Sequence, residues 1–124
     1  MCAVANTEWG KIPGYVRDNT CYFEYCGARN STDFTLVKGT VLTDDPNEIS
    51  PLGNENGEEL YCAIVNTLVG TIPGKARMGN CKYVYDGQSY ESRRSFSYLG
   101  PRRTPLDFAA SEIRAKVKTI AFVQ

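Results

Sequence analysis

An internal duplication is the feature that most constrains how this chain can fold. Residues 1–27 and 61–87 align at a constant offset of 60 without a gap, and 12 of the 27 positions are identical. The identical pairs are Cys2/Cys62, Ala3/Ala63, Asn6/Asn66, Thr7/Thr67, Gly10/Gly70, Ile12/Ile72, Pro13/Pro73, Gly14/Gly74, Arg17/Arg77, Cys21/Cys81, Tyr25/Tyr85 and Gly27/Gly87. Sequence repeats usually correspond to supersecondary units that pack against one another. The duplication therefore predicts two similar units in one domain, with any functional site present in two versions.

Length and charge narrow the class of protein. The chain has 124 residues, which suits a single core, and its 14 basic and 14 acidic side chains balance. A balanced charge gives no bulk attraction to nucleic acid. We find no apolar segment of a signal peptide behind Met1 and no apolar run near the roughly 20 residues of a membrane helix. The sequence therefore predicts a cytoplasmic protein without a membrane span, with unconventional release as the extracellular alternative.

The alternation of side chains predicts β-strands. Leu60, Cys62 and Ile64 alternate with Tyr61, Ala63 and Val65. Cys81, Tyr83 and Tyr85 show the same period of two. Period-two runs rich in aromatic and β-branched residues are typical of half-buried strands. The predicted fold is all-β: one compact domain in which two repeats, related by a pseudo-twofold axis, share or interlock antiparallel strands.

Glycine, proline and asparagine mark the predicted turns. Pro13-Gly14 and Pro73-Gly74 have the signature of type II turns. Asp18-Asn19 and Gly79-Asn80 are expected to connect hairpins, and Trp9 is expected in a turn, where an exposed ring would anchor a partner.

The remaining segments divide the domain. Residues 1–42 form repeat one and residues 53–100 form repeat two. Between them the acidic, turn-rich stretch 43–57 is predicted to be a loop. Residues 101–124 alternate as a strand, with a short helix over 107–114 as the alternative, and we expect this strand to complete repeat one.

Five cysteines leave three alternatives open. Cys2, Cys21, Cys62 and Cys81 occupy matching positions, while Cys26 is unmatched. Buried reduced thiols are favoured because free cysteine packs as a small hydrophobe. Disulfides within each repeat would require an oxidising compartment. A zinc site is least favoured, since the chain has neither a Cys-x-x-Cys pair nor a histidine, and the sequence predicts neither a metal nor a cofactor.

Three fragments together resemble the DM-nine repeat family. They are Glu58-Glu59-Leu60-Tyr61, Ile72-Pro73-Gly74-Lys75-Ala76, and Cys81-x-Tyr83-Val84-x-x-Gly87. The resemblance covers about 90 residues and implies an all-β protein of two pseudosymmetric repeats. Several members of that family are mannose-binding lectins, and similar repeats occur in pore-forming and cytoskeletal proteins.

The resemblance also implies a site. In the lectins, an acidic residue from a glycine-rich turn and the lysine of the Pro-Gly-Lys turn hold the sugar hydroxyls. These positions correspond to Asn54, with Glu55 adjacent, and to Lys75. In repeat one Tyr15 replaces the lysine and the glycine-rich turn is missing, so only repeat two keeps the pattern.

Residue chemistry supports the same candidates. Asn54, Glu55, Asn56 and Lys75 could supply the polar groups that bind sugar hydroxyls, and Tyr61 a flat apolar surface. As turn residues, however, the asparagines and the lysine have a purely structural explanation. Arg17 and Arg77 are expected to lie along the sheet or to pair with carboxylates.

The residue inventory disfavours an enzyme. Without histidine, a serine or cysteine nucleophile lacks its usual base, and Gly74-Lys75 lacks the spacing of a phosphate-binding loop. We therefore expect a non-catalytic module that binds a mannose-like glycan, in which dimerisation would add avidity. The alternative is a cytosolic structural or assembly protein that binds other proteins through its repeat surfaces.

Overall fold

The computed structural model describes residues 2–38, 40–77 and 79–103, and these residues form an all-β domain of two antiparallel sheets. They contain one 3-10 helix, Pro46–Glu48, and twelve strands. The strands are β1 (Cys2–Thr7), β2 (Gly10–Arg17), β3 (Thr20–Glu24), β4 (Ala28–Ser31), β5 (Phe34–Leu36), β6 (Val41–Thr43), β7 (Gly53–Glu55), β8 (Glu58–Thr67), β9 (Gly70–Arg77), β10 (Asn80–Tyr85), β11 (Gln88–Ser92) and β12 (Phe96–Gly100). The predicted all-β class is confirmed.

Each repeat provides the centre of one sheet. The first sheet has five strands in the order β4-β3-β2-β1-β5. The second has seven, with β11-β10-β9-β8-β12-β6 in order and β7 paired with the start of β8. The sheets thus follow the two repeats, except that β6, which begins in repeat one, pairs with β12 of the second sheet. Strand β7 also packs against β2 of the first sheet.

The strand registers of the repeats match at the offset of 60. Cys2 pairs with Tyr15 across β1 and β2, and Cys62 pairs with Lys75 across β8 and β9. The next pair of strands agrees as well, because Val16 faces Cys21 while Ala76 faces Cys81. Equivalent positions can therefore be compared residue by residue.

The Pro-Gly pairs do not form turns, and this prediction is wrong. Pro13 and Gly14 lie within β2, facing Val4 and Ala3 of β1. The second partner of β2, strand β3, pairs only from Tyr15 onwards, so the proline precedes that ladder. Proline is tolerated where a strand edge carries no ladder. At Gly14 a Cβ would collide with the backbone of Tyr22, which explains the glycine.

The predicted hairpin connections are confirmed in the residues that the structure describes. Asp18 and Asn19 have φ values of 51° and 61°, as the two central residues of a type I′ turn require. Strands β3 and β10 end before Cys26-Gly27 and Asp86-Gly87, whose φ values are also positive.

Part of the predicted loop 43–57 is a strand. Gly53–Glu55 forms β7 and turns into β8 through Asn56 and Gly57. These two residues have φ values of 49° and 87°, which fit an asparagine–glycine hairpin turn. The acidic, turn-rich composition therefore predicted a loop where the structure has a three-residue strand, which pairs with β8 through the Asn56-Gly57 turn.

Two clusters of buried side chains form the core. The first contains Ala3, Ala5, Ile12, Cys21, Phe23 and also Leu60, which β8 contributes from repeat two. The second contains Ile49, Ala63, Val65, Ala76, Cys81 and Tyr98. Leu60 therefore ties the second repeat into the core of the first.

A disulfide joins Cys2 to Cys62, the same position in each repeat. This corrects both the favoured expectation of reduced thiols for this pair and the alternative of disulfides within a repeat. The two cysteines occupy equivalent positions on β1 and β8, and both are buried. Cys21 and Cys81 are buried free thiols, as expected, and Cys26 is exposed.

The predicted C-terminal strand lies mostly outside the described residues. Pro101–Arg103 runs beside residues 48–50, where Arg102 forms a β-bridge with Ile49. The free edge of β1 pairs with β5, so repeat one has a sheet neighbour of its own. Among the described residues, none belongs to a helix long and apolar enough to cross a membrane.

Candidate functional site

A buried lysine lies between two glutamates where the two sheets meet. Lys75, on β9, is only 4% exposed. Its Nζ lies 2.8 Å from Glu24 Oε2 and donates a hydrogen bond to Glu55 Oε1. Glu24 ends β3 of repeat one, whereas Glu55 ends β7. One ammonium group thus bridges the two repeats.

Arg77 extends the network towards the surface. Its guanidinium group donates to Glu55 Oε2 and to Glu58 Oε2. Residues 75 and 77 are two positions apart on β9 and therefore share a face of the strand. The turn at Asn56-Gly57 places Glu55 and Glu58 opposite each other, so one arginine can hold both.

The network shifts the pKa values of Glu24 and Arg77. Burial by itself would raise the pKa of Glu24, but several favourable interactions outweigh it and hold the pKa below its ordinary value. They are the hydrogen bond and charge of Lys75, the backbone N–H of Gly27 and the charge of Lys82. Burial would likewise lower the pKa of Arg77, yet Glu55 and Glu58 raise it. Glu24 and Arg77 are therefore both charged at neutral pH.

Repeat one lacks this network at the equivalent position. Tyr15 corresponds to Lys75, and Val84 corresponds to Glu24. Tyr15 packs against Tyr22, with ring centroids 5.5 Å apart. Within residues 2–38, 40–77 and 79–103 the charged arrangement thus occurs once, and an aromatic pair takes its place in the other repeat.

A polar cavity of about 290 Å³ opens beside the network. Its lining comprises Glu55, Lys75, Arg77, Asn80 and Lys82. The carbonyl oxygen of the Asn80 side chain is buried and has no hydrogen-bond partner among the described residues. A buried polar atom without a partner is costly, and a bound molecule or water would satisfy it.

The structure brings two of the five predicted site residues together, Lys75 and Glu55. Asn54 lies against Gly10 instead, with its side-chain oxygen on the backbone of β2. Asn56 binds repeat one: its backbone N–H donates to the Trp9 carbonyl and its side-chain amide to the Tyr25 hydroxyl, at 2.9 and 3.2 Å.

Two aromatic residues differ from their expected surroundings. Tyr61 packs edge-on against Tyr98 in the second core cluster and lies within reach of Arg103. Trp9 occupies a turn, as predicted, but its ring is half-buried and stacks on Tyr25 at 4.3 Å. Neither ring lines the cavity.

Sequence reasoning missed Glu24, Asn80 and Lys82. Glu24 carried a signal, because it is a charged residue where the other repeat has the buried Val84. Nothing in the pattern distinguished Asn80 or Lys82 from ordinary strand residues. Arg77 was expected to pair with carboxylates, and it does.

No family model, curated protein or solved structure matches this chain. Among the described residues, no cluster of three or more acidic, cysteine or histidine side chains could hold a metal ion.

Proposed function

We propose that the chain is a non-catalytic carbohydrate-binding module that holds a mannose-like sugar in the cavity beside Lys75. The observation that supports this best is a pocket of about 290 Å³ lined by paired, pre-oriented charged groups and by an amide. A monosaccharide presents several neighbouring hydroxyl groups, each both donor and acceptor. A site with fixed donors and acceptors in one small space suits such a ligand.

The available hydrogen-bonding groups fit this proposal. An ammonium group has three N–H donors, of which Lys75 donates one to Glu55, while Glu24 forms an ion pair with the same group. The ammonium group therefore retains donor capacity for a ligand oxygen. Lys82 offers a further ammonium group, and Asn80 an amide that lacks a partner for its oxygen among the described residues. Ion pairing holds the lysine in place before a ligand arrives, which lowers the entropic cost of binding.

The most informative variants alter the cavity without removing the buried charge. We expect Asn80→Ala and Lys82→Ala each to weaken binding to mannose or mannan about tenfold, because each removes about one hydrogen bond. Isothermal titration calorimetry with mannose, after a glycan array on the wild type, measures the effect. Lys75→Ala should abolish retention on mannan.

Matched controls separate binding from folding. Lys11→Ala removes an exposed lysine of repeat one, away from the cavity lining, and should bind like the wild type. Circular dichroism and thermal melting must show that the cavity variants remain folded. A glycan array without any retained sugar would overturn the proposal, as would cavity variants that bind as tightly as Lys11→Ala.

A second candidate function is protein assembly. Its specific support is the exposed apolar tip of the β8–β9 hairpin, where Leu68 and Val69 are 107% and 62% exposed. Light scattering tests whether the chain forms dimers, which would also raise the avidity of a weak sugar site.

Cytoplasmic localisation remains a proposal from the sequence. The Cys2–Cys62 disulfide instead favours an oxidising compartment. Cell fractionation combined with a thiol count on protein from its native source would distinguish the two.

A further inference from the structure

One face of repeat two is open among the described residues, although the same face of repeat one is covered. At the tip of the β8–β9 hairpin, Val69 is 62% exposed, and a Cβ placed on Gly70 would meet no atom within 4 Å. An apolar cavity of about 430 Å³ lies behind this tip, with Val69, Ile72 and Tyr85 in its lining. Exposed contiguous apolar surface of this kind commonly marks a binding site.

The equivalent face of repeat one shows what such a surface binds. Residues 69, 70 and 85 correspond to Trp9, Gly10 and Tyr25 at the offset of 60. Strand β7 lies across them. Asn54 packs so closely on Gly10 that a Cβ there would overlap it, as described above. Asn56 hydrogen-bonds to the Trp9 carbonyl and to the Tyr25 hydroxyl.

Arg77 and Arg17 occupy corresponding positions beside these two faces. Arg77 donates a hydrogen bond to the carboxylate of Glu55 on β7, next to the contacts of Asn56. Its counterpart Arg17 is exposed, and its described carboxylate partner is Asp18, at 3.8 Å. Arg17 lines a cavity of about 200 Å³ together with Val84, Asp86 and Gly87 of repeat two, which places it beside Tyr85 at the edge of the open face.

We propose that the face formed by Val69, Gly70 and Tyr85, with Arg17 at its edge, binds an acidic asparagine–glycine turn of a partner protein. In the bound state the partner's asparagine hydrogen-bonds to the Val69 carbonyl and the Tyr85 hydroxyl. The preceding glutamate pairs with Arg17. The partner's backbone packs on Gly70, as β7 packs on Gly10.

The contacts that β7 and its turn make with repeat one define the chemistry that a partner of repeat two needs. The occupant needs a carboxylate followed by two residues with positive φ, which asparagine and glycine adopt most readily. A second copy of this chain is disfavoured as the partner, because its turn of this type, Asn56-Gly57, already lies on its own first repeat. The partner is therefore a different chain that presents a Glu-Asn-Gly turn.

A peptide with the sequence of residues 51–60, PLGNENGEEL, is a direct probe. Added to the full-length protein, it should bind saturably with a Kd below about 1 mM. In NMR spectra it should shift the amide signals of Val69, Gly70 and Tyr85. A peptide with glutamine in place of the first glutamate should bind about tenfold more weakly, because it loses the pair with Arg17.

Protein variants test the same contacts. Arg17→Ala and Val69→Asp should each weaken binding at least fivefold. The matched control for Val69→Asp is Leu42→Asp, because Leu42 on β6 is 61% exposed and lies elsewhere. Arg102→Ala serves as the control for Arg17→Ala, and both controls should bind like the wild type.

A fusion of the same segment to the protein tests the proposal even if the free peptide is too flexible to bind. Residue 60 precedes Tyr61, the counterpart of Met1, so a copy of residues 51–60 fused ahead of Met1 places the turn in the equivalent register. This fusion should raise Tm and protect the Gly70 amide from hydrogen exchange. Failure of both peptide and fusion would overturn the proposal. So would shifts confined to other surfaces, or a concentration-dependent dimer that buries Val69.

Discussion

At the scale of single residues, the decisive feature is that Lys75 is buried between two carboxylates. Moving a charged group out of water costs several kcal/mol of desolvation free energy. Attraction to ionic partners offsets this cost only when the partners are close and well placed. Glu24 and Glu55 meet that condition from two different strands. Sequence periodicity places the lysine on a strand, but it does not show that a glutamate from the other repeat lies beside it.

Replacing this lysine should destabilise the domain. We expect Lys75→Met to lower the free energy of unfolding by about 3 kcal/mol, because the buried carboxylate of Glu24 then loses its ion-pair partner, whereas Glu55 keeps Arg77. Urea denaturation measures the change. Lys82→Met, at the cavity wall, is the control and should cost less than about 1 kcal/mol. Equal losses for both variants would contradict this account.

Glu24 should make stability depend on pH. Its pKa is lower in the folded state than its ordinary value of 4.5, so the unfolded chain binds protons more readily. The stabilisation is therefore complete above that ordinary value and is lost as the pH falls through the folded pKa. Denaturation between neutral and strongly acidic pH should show this slope. In Glu24→Gln the slope should be shallower, and an unchanged slope would disprove the assignment.

At the scale of elements, strand β7 is the unit that distinguishes the two repeats. It is only three residues long, yet it covers the apolar tip of repeat one and carries Glu55 to Lys75. The β-turn at Asn56-Gly57 makes this possible, because it reverses the chain within two residues. The equivalent tip of repeat two is left open among the described residues, which is the basis of the proposed docking surface.

Paired glycine substitutions measure this difference. Gly10 and Gly70 have φ values of 132° and 122°, so alanine is strained at both. Only at Gly10 would the new methyl group also meet Asn54. We expect Gly70→Ala to cost about 1 kcal/mol and Gly10→Ala at least about 2 kcal/mol more. Equal effects in thermal unfolding would mean that β7 does not pack on β2.

At the scale of the whole molecule, the Cys2–Cys62 disulfide and the buried lysine both join the two repeats. The disulfide closes a loop across a sequence separation of 60 residues. Leu60 adds an apolar contact from repeat two to the core of repeat one. The two sheets are therefore expected to unfold as one cooperative unit.

Reduction should lower the stability of this unit markedly. Loop-closure entropy for such a separation predicts a loss of about 4 kcal/mol, which we expect for Cys2→Ala/Cys62→Ala in denaturation experiments. Cys26→Ser, which alters an exposed free thiol, is the control and should change little. A double variant as stable as the wild type would show that the bond is not formed in solution.

Thiol labelling gives an independent check. Burial raises the pKa of Cys21 and of Cys81 to about 12, so at pH 8 both are protonated as well as inaccessible. Iodoacetamide should therefore modify Cys26 and leave Cys21 and Cys81 unmodified in the native protein, as mass spectrometry can show. Modification of Cys2 or Cys62 without prior reduction would contradict the disulfide.

Local patterns in the sequence determined the strand content, the hairpin turns and the equivalence of the repeats. Alternation defines strands such as Asn80–Tyr85, and Asp18-Asn19 readily adopts positive φ, because both properties depend on neighbouring residues alone. The sequence also identified Lys75 and Glu55 as candidates. Local composition gave a wrong prediction at Pro13-Gly14, because this turn signature lies inside β2, where pairing with β1 keeps the backbone extended.

Only the tertiary structure decided which groups meet across the two sheets. Glu24 contacts Lys75 across a sequence separation of 51 residues, Cys2 bonds to Cys62, and β7 covers one repeat tip but not the other. Such contacts depend on how whole sheets pack, which no local spacing encodes. The buried charge, the cross-repeat bond and the open face are for that reason properties of the assembled domain.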